Sequence, residues 1–441
     1  MSIIMSQYRR IIERLFRLNE HAVKLGLENI SKLLKYLDNP HKRLNTIHIA
    51  GTNGKGSTAF FLNSIFNTAG YKTGVYLSPH LIDIRERIII GNDWIPEKKF
   101  TELTEYIFHL MKKEKLSVTF FEFVTALAFL YFFQEEIDIG IIEVGLGGKL
   151  DATNVLTPMV SVITEIDLEH THYLGSSIRK IAAEKGGIIK EGGTVFTSAE
   201  NEEAVDTIKD IAKKKKTTYF QFGKDFVIED ADKELSLNAK KLLLPQTFSL
   251  RFREYEFKKL AIKTAGTYQI KNSSTAVAVA LYLNEKYKAI NENSICKGLK
   301  NTKIPCRMEL IQKSPQIILD AAHNFQSIKS LIENTRLFFT YNRLIVLLGI
   351  LDDKDYKKVI KVLSSDTDIF IMTEPKSERA LSACLLEKEA SAYETETFVE
   401  KEISKALIKA KEVADTDDLI LITGSFYTVG EALSAFSPTK H

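Results

Sequence analysis

The chain has 441 residues, 44% of them hydrophobic and 27% charged, with 60 Lys and Arg against 57 Asp and Glu and a formal net charge of +3. That length exceeds one ordinary core and predicts two or three soluble globular domains, and so balanced a charge excludes a nucleic-acid coat. Cys296, Cys306 and Cys384 show no paired spacing, which argues against a disulfide framework or zinc site and suits a reducing cytoplasm; Met1–Arg17 is charged and amphipathic rather than a signal peptide, and the longest apolar run, Phe123–Phe133, is too short to cross a bilayer.

Gln7 to Leu37 reads as helix, interrupted near Gly26 and stopped at Asn39-Pro40. Thr46–Ala50 alternates as a strand and runs into Gly51-Thr52-Asn53-Gly54-Lys55-Gly56-Ser57-Thr58, after which an apolar helical pattern extends from Ala59 to Ala69. Strand, glycine loop and helix together cradle phosphates: backbone N–H groups and the helix N-terminus face the anion, and Lys55 adds a mobile cation. The spacing is unusual, because Ile49 stands where G-x-x-x-x-G-K places glycine and Gly56 separates Lys55 from Ser57. The alternative is a tight turn with a solvated lysine.

Lys72–Leu77 is a short strand ending at Ser78-Pro79-His80, and Arg87–Ile90 is another. Glu97–Lys113 and Thr119–Gln134 are helices, the second so apolar along one side (Phe120, Phe123, Val124, Leu127) that it packs on a sheet. Asp138–Val144, Val160–Thr164 and Val195–Thr197 read as buried strands, with a helix at Ile178–Lys190. Strands alternating with helices imply right-handed βαβ units and a parallel sheet. The run Lys213–Lys216 closes an amphipathic stretch, Glu202–Ala212, and reads as a solvated helix end. Tyr219–Ile262 breaks the rhythm with a small antiparallel excursion, and helix returns at Gln269–Tyr282. After a linker near Asn301–Pro305, strands at Ile317–Leu319, Leu344–Leu348, Ile369–Met372 and Leu419–Ile422 begin a second, smaller doubly wound set of about 135 residues. The expected class is α/β: a phosphate-loop ATPase domain with a mostly parallel doubly wound sheet and an antiparallel excursion, then a smaller Rossmann-like α/β domain.

Several motifs stand in one order: Gly51–Ser57, Ser78-Pro79-His80-Leu81, Glu143-Val144-Gly145-Leu146-Gly147-Gly148, Asp151-Ala152-Thr153-Asn154, Ala183-Glu184-Lys185, Arg307-Met308-Glu309 and Asp320-Ala321-Ala322-His323-Asn324. Together they resemble the folate branch of the Mur ligase family over nearly the whole chain. The resemblance implies a central ATP-binding domain at 1–300, a linker at 301–306 and a C-terminal ligase domain at 307–441. It implies ATP-dependent addition of L-glutamate to folate, and to dihydropteroate, through an acyl phosphate. ATP and Mg²⁺, with two ions, are the implied cofactors. The implied enzyme is a cytoplasmic monomer with small-molecule substrates and neither nucleic-acid nor membrane partners.

Glu143 ends a hydrophobic strand, at the edge where open α/β sheets bind ligands, and its carboxylate suits a hard cation; a capping strand-end Glu is the alternative. The resemblance implies nucleotide contacts at Thr52, Asn53, Gly54, Lys55, Gly56, Ser57, Asn272, Arg307 and Asp320. It implies metal ligands at Ser78, Glu143, His170 and Lys185, and catalytic roles for Lys55, Lys185 and His170. Ser78 otherwise reads as a turn residue, and His172 competes with His170. Lys185 is implied to be carbamylated; otherwise it is a lysine paired with Glu184 or Glu143. Desolvation and neighbouring cations lower a lysine pKa, and a neutral amine takes up carbon dioxide. Asp320 otherwise orders the following turn. His323 reads as a cap or core histidine, and Ser425 as a helix-start residue able to bind an anion.

Folate contacts are implied near Gly26-Leu27-Glu28-Asn29, at Phe121, Glu122 and Phe123, and at Leu150, Asp151 and Ala152, with core packing as the alternative for the phenylalanines. Three positions depart from the family pattern: Tyr268 stands for His, and Cys306 and Ala321 stand for Gly. The competing functions are another Mur-type amide ligase acting on a peptidoglycan precursor, and a non-catalytic phosphate-loop protein.

Overall fold

The computed structural model describes residues 2–18, 26–229 and 245–436; parts of the expected first helix (19–25) and of the expected antiparallel excursion (230–244) lie outside the described residues. The first sheet contains β1 (Thr46–Ala50), β2 (Thr73–Tyr76), β3 (Ile88–Ile90), β4 (Asp93–Trp94), β5 (Ile139–Glu143), β6 (Val160–Ile163), β7 (Thr194–Thr197) and β8 (Thr218–Gln221). Its order is β4-β3-β2-β5-β1-β6-β7-β8, parallel from β2 to β8, with β3 and β4 antiparallel at one edge. Every residue of β1 and β5 is buried, because helices cover both faces. On one face lie the helices Lys55–Thr68 and Tyr268–Tyr282, packed around Phe61, Phe66 and Val277. On the other lies Phe120–Gln134, whose Phe123, Leu127 and Phe129 are fully buried.

A three-stranded antiparallel sheet, β9 (Phe226–Glu229), β10 (Gln246–Phe252) and β11 (Tyr255–Ile262), packs its aromatic face onto the first core. The last sheet contains β12 (Glu309–Lys313), β13 (Gln316–Leu319), β14 (Leu344–Leu348), β15 (Ile369–Met372), β16 (Glu396–Val399) and β17 (Leu419–Thr423), in the order β12-β13-β17-β14-β15-β16. Only β12 runs antiparallel there, as a hairpin with β13. Each face of this sheet has its own apolar cluster.

The observed strands follow the expected ones within a residue or two, and β4, β8, β12 and β16 were not foreseen; β8 lies where the antiparallel excursion was expected to begin, yet it pairs parallel with β7, so the excursion starts only at β9. One helix is shorter than its sequence suggests: Ile178–Lys185 ends at Gly186-Gly187 and tightens into a 3-10 turn, Gly186–Ile188. Two successive glycines carry a high entropic cost in a helix interior, so the turn breaks there. Among the described residues no helix is long and apolar enough to cross a membrane.

Candidate active site

The C-terminal ends of β1, β2 and β5 open into one cleft of about 1620 Å³ between the first and last sheets. β1 delivers the glycine loop to its floor. Thr52 fastens that loop: its N–H donates to Glu165 O at 2.7 Å, and its hydroxyl donates to Asp167 O at 3.2 Å. Gly54 has φ 91°, and a Cβ there would lie 2.5 Å from Asn272 Oδ1, so only glycine permits this approach. Asn272 therefore props the loop, donating to Gln269 Oε1 at 3.0 Å. The helix Lys55–Thr68 begins directly afterwards, and its first-turn N–H groups at Lys55, Gly56 and Ser57 lack partners along the helix. All three residues line the cleft.

Lys55 Nζ donates to Gly51 O at 3.0 Å and Thr52 O at 3.2 Å. Lys185 Nζ donates to the same Gly51 O at 2.7 Å. Two ammonium groups thus share one carbonyl, and neither Glu184 nor Glu143 pairs with Lys185. Burial, with Lys55 beside it, lowers the Lys185 pKa to about 7. Lys185 itself is behind the loop rather than on the cleft wall, 4% exposed. Glu143 is on the wall, where its Oε2 accepts from Ser78 N at 3.2 Å and would lie 3.6 Å from a Cβ at Gly56. Burial pushes its carboxyl up, against the pull of Lys55, the Ser78 N–H, Arg307 and Arg87.

His170 lines the cleft, whereas His172 is exposed and does not. Burial drives the His170 pKa down to about 4, against the opposing pull of Glu169. Among the described residues no three His, Cys, Asp or Glu side chains form a metal cage. The donor set at the loop fits a hard cation nonetheless: Glu143 is a buried carboxylate with no ion pair among the described residues, Ser78 adjoins it, and Mg²⁺ takes one or two carboxylates and completes its shell with phosphates and water.

The last sheet closes the cleft from above. Arg307 leans on Phe426, 5.0 Å from the ring centroid, and lines the wall with Asp320. Asp320 accepts from Met308 N at 2.9 Å and Ala322 N at 2.8 Å, so its carboxylate orders the turn. Ser425 also faces the cleft, capping its helix by accepting from Thr428 N at 3.0 Å. Three contacts between the sheets had no local sequence signal, because their partners are far apart in the chain. His323 Nε2 meets Glu169 Oε1 at 3.2 Å, Asn324 reaches Asn53 Oδ1 at 3.4 Å, and the buried Tyr268 hydroxyl lies within electrostatic reach of the Asp320 carboxylate, burial and that charge both pushing its pKa up. His323, a weak candidate from sequence, thus joins the two halves of the cleft.

At the opposite end, Gly26, Phe121, Glu122, Leu150, Asp151 and Ala152 line the wall. Glu122 caps its own helix, accepting from Thr119 N at 2.7 Å. Asp151 turns its carboxylate onto Leu146 N at 2.8 Å and Thr153 N at 3.0 Å. Phe123 does not reach the cleft: it is fully buried against Phe108, with ring centroids 4.7 Å apart, so the expected folate contact there is core packing. The helical period places it on the face opposite the opening.

Residues 49–280 match the family model "Mur ligase middle domain", and residues 306–426 match "Mur ligase, glutamate ligase domain". The chain is similar to the dihydrofolate synthase/folylpolyglutamate synthase of Bacillus subtilis, with 33% identity over 418 residues, covering 93% of this chain and 94% of that one. It is also similar to Escherichia coli FolC solved with DHPP and ADP (28% identity, TM-score 0.84, 96% of this chain and 97% of that one). A third likeness is to a bifunctional folylpolyglutamate synthase/dihydrofolate synthase solved with Mn, AMPPNP and L-glutamate (27% identity, TM-score 0.83, 96% of this chain and 97% of that one).

Proposed function

The chain belongs to the folate branch of the Mur ligase family, and from that premise we propose that it uses ATP to join L-glutamate to folate, and to dihydropteroate, through an acyl phosphate. The observation that carries this is the convergence of Lys55 and Lys185 on the Gly51 carbonyl, with Glu143 against the same loop. A carboxylate does not acylate an amine unaided in neutral water. Its oxygen attacks the γ-phosphorus of ATP, ADP leaves, and an acyl phosphate remains. The glutamate nitrogen then attacks the acyl carbon, inorganic phosphate carries off the bonding pair, and the amine loses its proton.

The protein's contribution to phosphoryl transfer is chiefly position and charge. The N–H groups of Lys55, Gly56 and Ser57 receive the phosphates, and Lys55 leaves its carbonyl partners to follow the transferring group. Thr52, Asn53 and Asn272 hold the loop's shape, while Arg307 and Asp320 complete the nucleotide side. Glu143 and Ser78 hold a divalent cation, which supplies charge neutralisation at the phosphates. We assign a second Mg²⁺ to His170 and a carbamylated Lys185, supported by the burial and depressed pKa of that lysine. Phe121 and the Leu150–Ala152 loop form the folate wall. The domains are 1–300 and 307–441, joined at 301–306. We assign a monomer, and a cytoplasmic setting fits the three free thiols.

The test is ADP release with ATP, Mg²⁺ and L-glutamate, with and without dihydropteroate or tetrahydrofolate. Folate-dependent release is expected with both acceptors, and release with tetrahydrofolate alone removes only the dihydropteroate activity. Release only with a muramyl nucleotide transfers the chain to another amide ligase, and none with any acceptor leaves a nucleotide binder.

A further inference from the structure

We propose that His48 and Thr153 are positioning residues for the folate substrate: through Asp151 they tie the folate-facing loop to the central strand that carries the phosphate loop. The proposal rests on the functional reading above, since it concerns how that site is held.

His48 lies on β1, paired with Ile142 of β5 on one side and Ser161 of β6 on the other. Its neighbours Ile47 and Ile49 are fully buried aliphatics, and His48 is equally buried. Its Nε2 lies 2.8 Å from Thr153 Oγ1, and that hydroxyl bonds Asp151 Oδ1. Burial pushes the Asp151 carboxyl up, against the pull of the donors around it, and its Oδ1 already accepts the Thr153 N–H, so this oxygen is the acceptor and Thr153 Oγ1 the donor. The single hydroxyl proton is then spent, and His48 Nε2–H must be the donor to Thr153. Nδ1 is left as a bare acceptor, and it has no partner among the described residues. Burial together with the charge of Lys190 keeps the ring neutral, with a pKa near 3, which agrees with one N–H. The proton chain therefore runs one way, from His48 through Thr153 to Asp151.

Asp151 is the hub of the loop. It gathers Leu146 N at 2.8 Å, Thr153 N at 3.0 Å and the Thr153 hydroxyl, so one carboxylate closes the turn from 146 to 153. Leu150 and Ala152, on the cleft wall, flank it in the chain. A strand paired on both sides is a rigid anchor, and a loop pinned to it keeps its wall residues in place before substrate arrives. An apolar residue at position 48 would pack there without the desolvation cost of an imidazole with an unpaired nitrogen. His48 is thus explained by what it holds rather than by packing.

The experiment compares Thr153→Val with Thr153→Ser by steady-state ADP release, with the wild type alongside. Thr153→Val is expected to raise the KM for dihydropteroate or tetrahydrofolate about tenfold while leaving the KM for ATP within about twofold, as loss of a hydrogen bond to a charged group would. Thr153→Ser, which keeps the hydroxyl, is expected to restore the folate KM. Melting temperatures establish that the variants are folded. If Thr153→Val fails to fold, the pair His48→Gln and His48→Leu asks the same question, because only Gln keeps an amide donor at that reach. Equal rises in both KM values, an unchanged folate KM in a folded variant, or no rescue by Ser (or by Gln in the second pair) overturns the proposal. A wild type without folate-dependent turnover instead overturns the functional reading.

Discussion

At the scale of single residues, Glu143 is held in a state that favours binding over stability. Its carboxylate is 6% exposed and has one backbone N–H partner, from Ser78, and no ion pair among the described residues. Burying a charge with so little compensation is costly, and a cation beside it removes the cost. Glu143→Gln should therefore raise the melting temperature of the metal-free protein by about 2–4 °C and lower ADP release by about 10–100-fold; differential scanning calorimetry in chelator and the turnover assay check both. A lower melting temperature with retained turnover would return Glu143 to a capping role. Lys185→Ala should lose activity over the same range of about 10–100-fold and regain part of it with a short carboxylic acid; a mass increment of one carbon dioxide on wild-type Lys185 in carbonate buffer is the independent check. The phosphate loop and Glu143 were legible in the sequence because strand, glycines and helix carry their chemistry locally. Lys185 was legible only through resemblance to a family, since a single lysine on the buried face of an amphipathic helix has no signature. Phe121 and Phe123 were indistinguishable without knowing which face of their helix meets the cleft.

At the scale of elements, buried parallel strands such as Leu344–Leu348 announced themselves as unbroken aliphatic runs. The edge strands Glu309–Lys313 and Glu396–Val399 did not, because partial exposure mixes polar residues into them. What joins the start of β14 to the start of β17 was equally hidden. Asp418 accepts from Arg343 N at 3.0 Å, Arg343 Nε at 3.0 Å and Asp415 N at 2.8 Å. Burial pushes its carboxyl up, but these donors prevail and hold it below the usual carboxylate range. A carboxyl depressed by folding contributes stability that is present above its unfolded pKa and disappears as pH falls through its folded one. Asp418→Asn should therefore lower the urea midpoint at pH 7. The gap from wild type should narrow as the pH is taken below about 4, the unfolded value being about 3.9. Unfolding curves at a series of pH values check the slope; a gap that stays constant down to strong acid would remove ionisation from the account.

At the scale of the whole molecule, several of the loops that serve the cleft from the first sheet also touch the last one. Asn53 of the phosphate loop meets Asn324, Glu169 beside His170 meets His323, and Leu81 after the Ser78 turn packs so closely on Gly430 that a Cβ there would lie 2.1 Å from its carbonyl oxygen. The helix beginning at Tyr268 adds a fourth contact, with Thr267 N donating to Asn334 Oδ1 at 2.7 Å and the Tyr268 hydroxyl turned toward the field of Asp320. Binding at the loops and apposition of the two sheets are therefore linked, and a ligand that binds only the closed form shifts the equilibrium by its differential affinity. Tyr268→Phe isolates that link. It removes one oxygen, keeps the buried ring, and leaves Asp320 its two backbone donors from Met308 and Ala322. A hydroxyl that donates to this carboxylate on closure would be worth about 1.5–3 kcal/mol. Its loss should appear as a KM for ATP raised about tenfold, since the competent form must be restored before the nucleotide is held. Tyr268→His, which introduces the residue that the family resemblance leads one to expect there, keeps a donor and should retain more of the affinity than Phe. Steady-state kinetics with ATP varied at saturating folate separates the two variants, and equal behaviour of Phe and wild type would mean that the hydroxyl plays no part in holding the sheets together.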